Sequence, residues 1–192
     1  MNFKLLVLLT SMSLYSIVPS VYGFCRMTSF NRVGTVGRYC QPSIETRRCL
    51  TTNIIVVGKK NGGEEWISDG YGEYEKRLRP LMNIQTTFLK TDEDLIRAAQ
   101  QAKGTIIALD EKGKQHTSPE FTEMLYSSYI DGGSTVNFII GGFAGLPPEI
   151  RSKYPLISLS KLTWTHTMAR LLLIEQIYRA TEIRKGSSYH KE

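Results

Sequence analysis

The sequence predicts an α/β domain with a mostly parallel, five- to six-stranded sheet and helices on both faces. Three observations carry this. Short, β-branched, apolar runs such as "NIIVVG" (Asn53–Gly58) and "TVNFII" (Thr135–Ile140) read as strands buried on both sides. They alternate with segments of helical periodicity. A glycine cluster, Gly141, Gly142 and Gly145, follows the fourth strand, where open α/β sheets bind their ligands.

The elements follow in order. Asn53–Gly58 is the first strand. Glu64–Arg79 is a polar helix, with Trp66, Ile67, Tyr71, Tyr74 and Leu78 near helical spacing and Pro80 as its stop. Ile84–Leu89 is the second strand. Asp92–Gln101 is a helix whose opening acids suit its N-terminal dipole, with Thr91 as cap. Thr105–Leu109 is the third strand, and "DEKGK" after it reads as a charged turn. Ser118, Pro119 and Glu120 read as a cap residue and helix start, for a helix reaching about Ile130. After the fourth strand, Thr135–Ile140, Pro147 or Pro148 opens a short helix that ends near Tyr154, before Pro155. Leu156–Leu159 is a fifth strand. Thr167–Arg184 is the longest helix, and Met168, Leu171, Leu172, Ile174, Ile177 and Tyr178 are its apolar set.

The formal charge of +6 is unevenly placed. Residues 1–52 hold six basic side chains and one acid, so the front of the chain accounts for most of it. Residues 151–192 hold eight basic side chains against three acids. That end fits either a polyanionic partner or a solvated helix face. All three cysteines, Cys25, Cys40 and Cys49, precede residue 53. The remainder therefore has no disulfide, thiolate metal site or cysteine nucleophile, and no metal is expected.

The N-terminus reads as an address. An apolar run from Leu5 to Val18 ends at Pro19 and small residues, so residues 1–23 form a signal peptide. Residues 24–52, rich in Arg, Ser and Thr with one acid, read as a transit segment. This bipartite arrangement resembles presequences of plastid proteins in algae with secondary plastids, where an aromatic residue such as Phe24 follows the signal cleavage point. It implies a plastid, with plain secretion or a mitochondrion as alternatives and no membrane in the mature form. Residues 53–192 are the folded domain.

The glycines give the pattern G-G-x-x-G after the fourth strand. It is neither a dinucleotide fingerprint nor a phosphate loop, since no Lys-Ser or Lys-Thr follows. There is no nucleophile elbow and no H-E-x-x-H. An adenosine-type ligand without a polyphosphate is left, or a turn that only glycine can make. "SLSKLTWTH" (Ser158–His166) has a backbone that could read an adenine edge, or it is an ordinary strand and turn.

Together "LDEKGK" (Leu109–Lys114), "FIIGGFAGL" (Phe138–Leu146), "SLSKLTWTHTMARLLLIEQIYRA" (Ser158–Ala180) and the terminal "YHKE" resemble the ribosomal RNA large subunit methyltransferase H family, within the SPOUT superfamily. The resemblance runs from about Asn53 to Glu192. It implies a C-terminal deep trefoil knot and a homodimer. The implied cofactor is S-adenosyl-L-methionine, held by Leu109, Gly141, Leu159, Ser160, Lys161, Leu162, Thr163 and Trp164. It further implies N3-methylation of a pseudouridine in a hairpin loop of large-subunit ribosomal RNA, on the assembled ribosome. The sequence departs from the family at Phe143-Ala144, where Pro and an acid are common, and at Thr165 and Thr167, where prolines usually flank the histidine.

Methylation at N3 requires positioning, stabilisation of charge on the base and a proton acceptor. On the resemblance, His190 in the polar tail is the first candidate for base contact or proton acceptor, across the dimer. His166 serves either in capping or in catalysis. Arg170, one turn further on, could hold a phosphate or the base anion, and Tyr189 could stack on a base. A non-catalytic RNA-binding or ribosome-assembly factor with the same knotted fold is the alternative function.

Overall fold

The computed structural model describes residues 50–59 and 65–191. The expected signal peptide and all but the end of the transit segment lie outside the described residues. Five strands, β1 (Thr51–Val57), β2 (Asn83–Leu89), β3 (Thr105–Gln115), β4 (Thr135–Ile140) and β5 (Leu156–Ser158), form one sheet in the order β2-β1-β4-β3-β5. Every pairing is parallel. Five helices connect and follow them: α1 (Glu65–Leu78), α2 (Asp92–Gln101), α3 (Ser118–Asp131), α4 (Pro148–Lys153) and α5 (His166–Lys185).

The strands alternate their side chains between two cores, as period-2 geometry requires. Ile54, Val56, Val136, Phe138 and Ile140 face a core built with α1, α3 and α5, where the Phe138 and Phe121 rings stack at 6.4 Å. Ile55, Ala108 and Ile139 face the other core, with Leu95 and Ala99 of α2 and Ile150 of α4. Crossovers moving toward β2 therefore use the α1/α3 face, and those moving toward β5 use the α2/α4 face. All four have the same hand, as parallel sheets require. β1 and β4 are central and apolar, whereas the edge strand β2 alternates exposed and half-buried positions.

Three expectations change in detail. β1 begins at Thr51 rather than Asn53, and Thr51 and Thr52 pair with Asn83 and Ile84. Thr52 is fully buried and shares a hydrogen bond with the Tyr129 hydroxyl. Hydroxyl residues that suit a transit segment by composition are here β-branched strand residues. The cap of α3 is Thr117, one residue earlier than expected. Its side chain accepts from the Glu120 amide while the Glu120 carboxylate accepts from its own amide, a capping box. "DEKGK" is no free turn. β3 runs through it to Gln115, with a bulge between Leu109 and Lys114, both of which register on Ile157. Gly113 must be bare there, because a Cβ would stand 2.4 Å from the Ile157 carbonyl carbon.

Candidate active site

A cleft of about 310 Å³ opens where β3, β4 and β5 end. That volume falls at the lower end of the range for small-molecule sites, roughly 300–1,000 Å³. Its floor is apolar, from Leu109, Ile140, Leu146 and Ile157. One wall is the glycine turn. The Gly145 amide donates to the Gly142 carbonyl at 3.0 Å, closing the loop on itself. A Cβ on Gly141 would lie 2.3 Å from the Gly145 carbonyl oxygen, and Gly145 itself has φ +83°. Both glycines are thus demanded by the turn, leaving a bare wall as the consequence.

The segment after β5 forms the facing wall. The Ser158 hydroxyl donates to the Ser160 carbonyl at 2.7 Å, and the Leu162 amide donates to the Ser160 hydroxyl at 3.0 Å. Thr163 ties the segment across to the β3 bulge by donating to a Glu111 carboxylate oxygen at 2.8 Å. Thr165 then caps α5 by accepting from the Met168 amide. Beneath the glycine turn, Arg151 of α4 donates to Asp110 at 2.7 Å, and the Asp110 side chain is only 3% exposed. Asp110 also accepts from the Lys112 amide, which sets the bulge.

Of the eight residues expected to hold a cofactor, Leu109, Gly141, Leu159, Ser160, Leu162, Thr163 and Trp164 line this cleft. Lys161 does not; it is exposed, because the turn made by Ser160 carries its side chain outward. Asp110, Glu111 and Arg151 also line the cleft and were missed. They sit in a segment that reads locally as a charged turn and on a short polar helix. Among the described lining residues carboxylates outnumber cations by one, with no lysine. This suits a cationic ligand such as a sulfonium and disfavours a polyphosphate. Apolar floor, bare backbone and residual negative charge together fit S-adenosylmethionine.

The expected catalytic residues are not gathered in one place. His166, the first residue of α5, lines the cleft, and its ring packs on Gly58, where a Cβ would approach Nε2 to 2.9 Å. Capping is done by Thr165. Arg170 is buried, at 6% exposure, between the rings of Tyr71 (4.7 Å) and Phe88 (5.0 Å). Its Nε has no partner among the described residues, and burial lowers its pKa. Rather than reaching a phosphate, it fills the gap between α1 and β2, because position 170 belongs to the stripe with Leu173, Ile174 and Ile177 that α5 turns inward.

The tail folds back along α5. Gly186, in the left-handed conformation, ends the helix, and the Ser187 amide donates to the Glu182 carbonyl. The Tyr189 ring packs edge-on to Tyr178 at 5.0 Å, with the Arg179 guanidinium 5.0 Å from its centroid. Burial, with Tyr74 and Glu175 nearby, pushes the Tyr189 phenol above its ordinary value. Tyr189 thus anchors the tail rather than presenting a face for a base. His190 is partly buried, and its Nδ1 has no partner among the described residues. Glu175 and Arg179 lie nine and thirteen residues beyond His166, about 13–20 Å along the helix. His190 therefore lies far from the cleft of its own chain.

The family described as "Predicted SPOUT methyltransferase" matches residues 50–190. The ribosomal RNA large subunit methyltransferase H of Protochlamydia amoebophila is 44% identical, covering 74% of this chain and 99% of that protein. The protein of the same name from Streptococcus uberis is 39% identical, covering 74% of this chain and 100% of that protein. Among solved structures, a probable methylase family protein from Haemophilus influenzae is 12% identical with a TM-score of 0.48, covering 76% of this chain and 71% of that one. The chain belongs to the SPOUT methyltransferases and, within them, to the ribosomal RNA large subunit methyltransferase H family.

Proposed function

We propose that this protein is an S-adenosylmethionine-dependent methyltransferase of large-subunit ribosomal RNA, acting on N3 of a pseudouridine in a hairpin loop of the assembled ribosome of a plastid, with the mitochondrion as the alternative site. The observation that carries the reading is the cleft. Three segments far apart in sequence, Leu109–Glu111, Ile140–Leu146 and Ile157–Trp164, meet in it, and its charge suits a sulfonium. The names of the curated relatives support ribosomal RNA as the substrate. The exposed Lys153, Lys161, Arg184, Lys185 and Lys191 of the C-terminal portion support a polyanionic partner. The presequence supports the organelle, whose ribosomes are of bacterial type.

The mechanism asks little covalent work of the protein. The cofactor supplies an electrophilic methyl group. The backbone of the glycine turn and of Leu159–Trp164 orients it, and the excess carboxylate among Asp110, Glu111 and Arg151 favours its positive charge. Loss of the N3 proton needs an acceptor, the role given to the His190 imidazole. Because the neighbouring Tyr189 docks on Glu175 and Arg179, about 13–20 Å along α5 from the cleft of its own chain, His190 is assigned to the cleft of a second copy in a homodimer. The half-buried Met168 and Leu172 on α5 are available to such a contact.

The test uses the purified full chain. Binding of labelled S-adenosylmethionine is measured first, then transfer to ribosomes from a strain lacking the family enzyme. The methylated position is located by arrest of reverse transcription, since N3 lies on the pairing edge. Absence of binding overturns the reading, and binding without transfer favours the RNA-binding assembly factor. For the shared site, Leu162→Arg places a cation in a cleft suited to a cation, and His190→Ala removes the acceptor. Each variant is expected to be inactive alone, with activity returning on mixing. Fusion of residues 1–52 to a fluorescent protein tests the address, and signal in the medium would overturn it.

A further inference from the structure

Three donors converge on a single carboxylate oxygen of α5. Glu175 Oε1 accepts from Arg179 Nη2 at 2.6 Å, Arg179 Nε at 3.1 Å and the Tyr189 hydroxyl at 3.2 Å. Its other oxygen accepts from Gln176 at 2.5 Å. The Glu175 side chain is 16% exposed and that of Arg179 27%, so this is a partly desolvated cluster rather than a solvated helix pair. An i,i+4 pair needs only Glu175 and Arg179. The third donor arrives from fourteen residues further on, after the chain has reversed at Gly186.

The aromatic contacts follow the same path. Tyr189 meets Tyr178 edge-on, Tyr178 meets Tyr74 of α1 at 5.7 Å, and Arg179 lies against the Tyr189 ring. The tail is further pinned by the Ser187 hydroxyl, which accepts from the Tyr189 amide at 3.3 Å. A histidine in a polar tail that must meet a base gains from being held in place before binding.

We propose that Glu175 is a positioning residue: held by Arg179, which also lies against the Tyr189 ring, it accepts from the Tyr189 hydroxyl and so fixes the place from which His190 is presented to the second copy. This rests on the function proposed above. Glu175 acts through Tyr189 and touches neither cofactor nor base.

The experiment takes the full chain and three variants. Glu175→Ala removes the clasp. Glu175→Gln keeps one oxygen acceptor but loses the charge. Tyr189→Phe removes one hydroxyl and keeps the ring contacts. Deuterium uptake at residues 187–191, affinity for labelled S-adenosylmethionine, and kcat for transfer to ribosomes are measured for each. Glu175→Ala is expected to speed uptake in the tail and to lower kcat about tenfold, with cofactor affinity unchanged within about twofold. Glu175→Gln should recover part of the loss, and Tyr189→Phe should show a smaller fall of the same kind. A merely structural role would leave kcat intact at temperatures where the variant is folded. Unchanged tail exchange in Glu175→Ala, or faster exchange with wild-type kcat, overturns the clasp and leaves the proposed function standing. A wild-type chain that binds cofactor but transfers no methyl group overturns the proposed function instead, and Glu175 then has nothing to position.

Discussion

Gly141→Ala is the sharpest test of how the cleft wall is made. Two accounts of the glycine differ in what they predict. If it is bare to admit a ligand, alanine weakens binding and spares the fold. If it is bare because the turn must close, alanine damages both. The geometry decides for the second. The added methyl would lie 2.3 Å from the Gly145 carbonyl oxygen, 2.4 Å from its carbon and 2.7 Å from the Leu146 nitrogen, where ordinary contact begins at 3.4 Å. All three atoms are backbone, so no side chain can swing away, and the turn must open by roughly 1 Å. Overpacking of this kind costs about 2–3 kcal/mol. At roughly 3–5 °C per kcal/mol for a domain of this size, Tm should fall by about 6–15 °C. Opening the turn also moves the Gly142–Gly145 wall, so affinity for S-adenosylmethionine falls with stability. Gly142→Ala is the control. Its methyl would meet the Val57 Cγ1 at 3.0 Å, a side-chain contact that can give, and the cost should stay under about 1 kcal/mol. Thermal unfolding with and without S-adenosylmethionine, alongside direct binding, reads both quantities. A Gly141→Ala protein with wild-type Tm and selectively lost binding would refute the closure argument.

Three further outcomes follow from particular contacts. Arg170→Met should be within about 1 kcal/mol of wild type by chemical denaturation, because it keeps the packing and removes a charge whose Nε is buried and unpaired, whereas Arg170→Ala should lose about 2–3 kcal/mol. Full transfer activity in Arg170→Met would end any role for this residue as an anion holder. A chain beginning at Asn53 should be about 2–4 kcal/mol less stable than one beginning at Leu50, since it loses the Thr51 and Thr52 pairings and the oxygen partner of the buried Tyr129 hydroxyl, which keeps only the weaker Met82 sulfur, and Thr52→Val should reproduce about 1–2 kcal/mol of this. Hydrogen bonds to the Thr117 amide and side chain hold the Glu120 carboxyl below its ordinary pKa, so its contribution is present above that ordinary value and is lost as pH falls through the lower folded value. Acid titration of stability should therefore be shallower in Glu120→Gln.

Much of the fold was legible because its signals are local. The β-branched runs of β1 and β4, the Thr91 cap and the Pro-led α4 each declare their conformation from a few adjacent residues. The glycine turn and the segment after β5 were legible for the same reason, since each wall of the cleft is one continuous stretch of chain. That they hold a cofactor was not legible locally; it came from the family resemblance, and seven of the eight residues it implies line the cleft. What tertiary structure decided is whatever depends on a partner distant in sequence. "DEKGK" reads as a turn until β5 arrives to pair with both ends of its bulge. Thr51 and Thr52 resemble a transit segment by composition and become strand residues only beside β2 and β4. Arg170 and Glu175 are five residues apart on a helix whose apolar residues are spread around it. Only the packing of α1 and the return of the tail make one a buried cation and the other the acceptor for Tyr189. Hydrophobic period and capping are properties of a segment, whereas the burial of a single charge is set by what the rest of the chain lays over it.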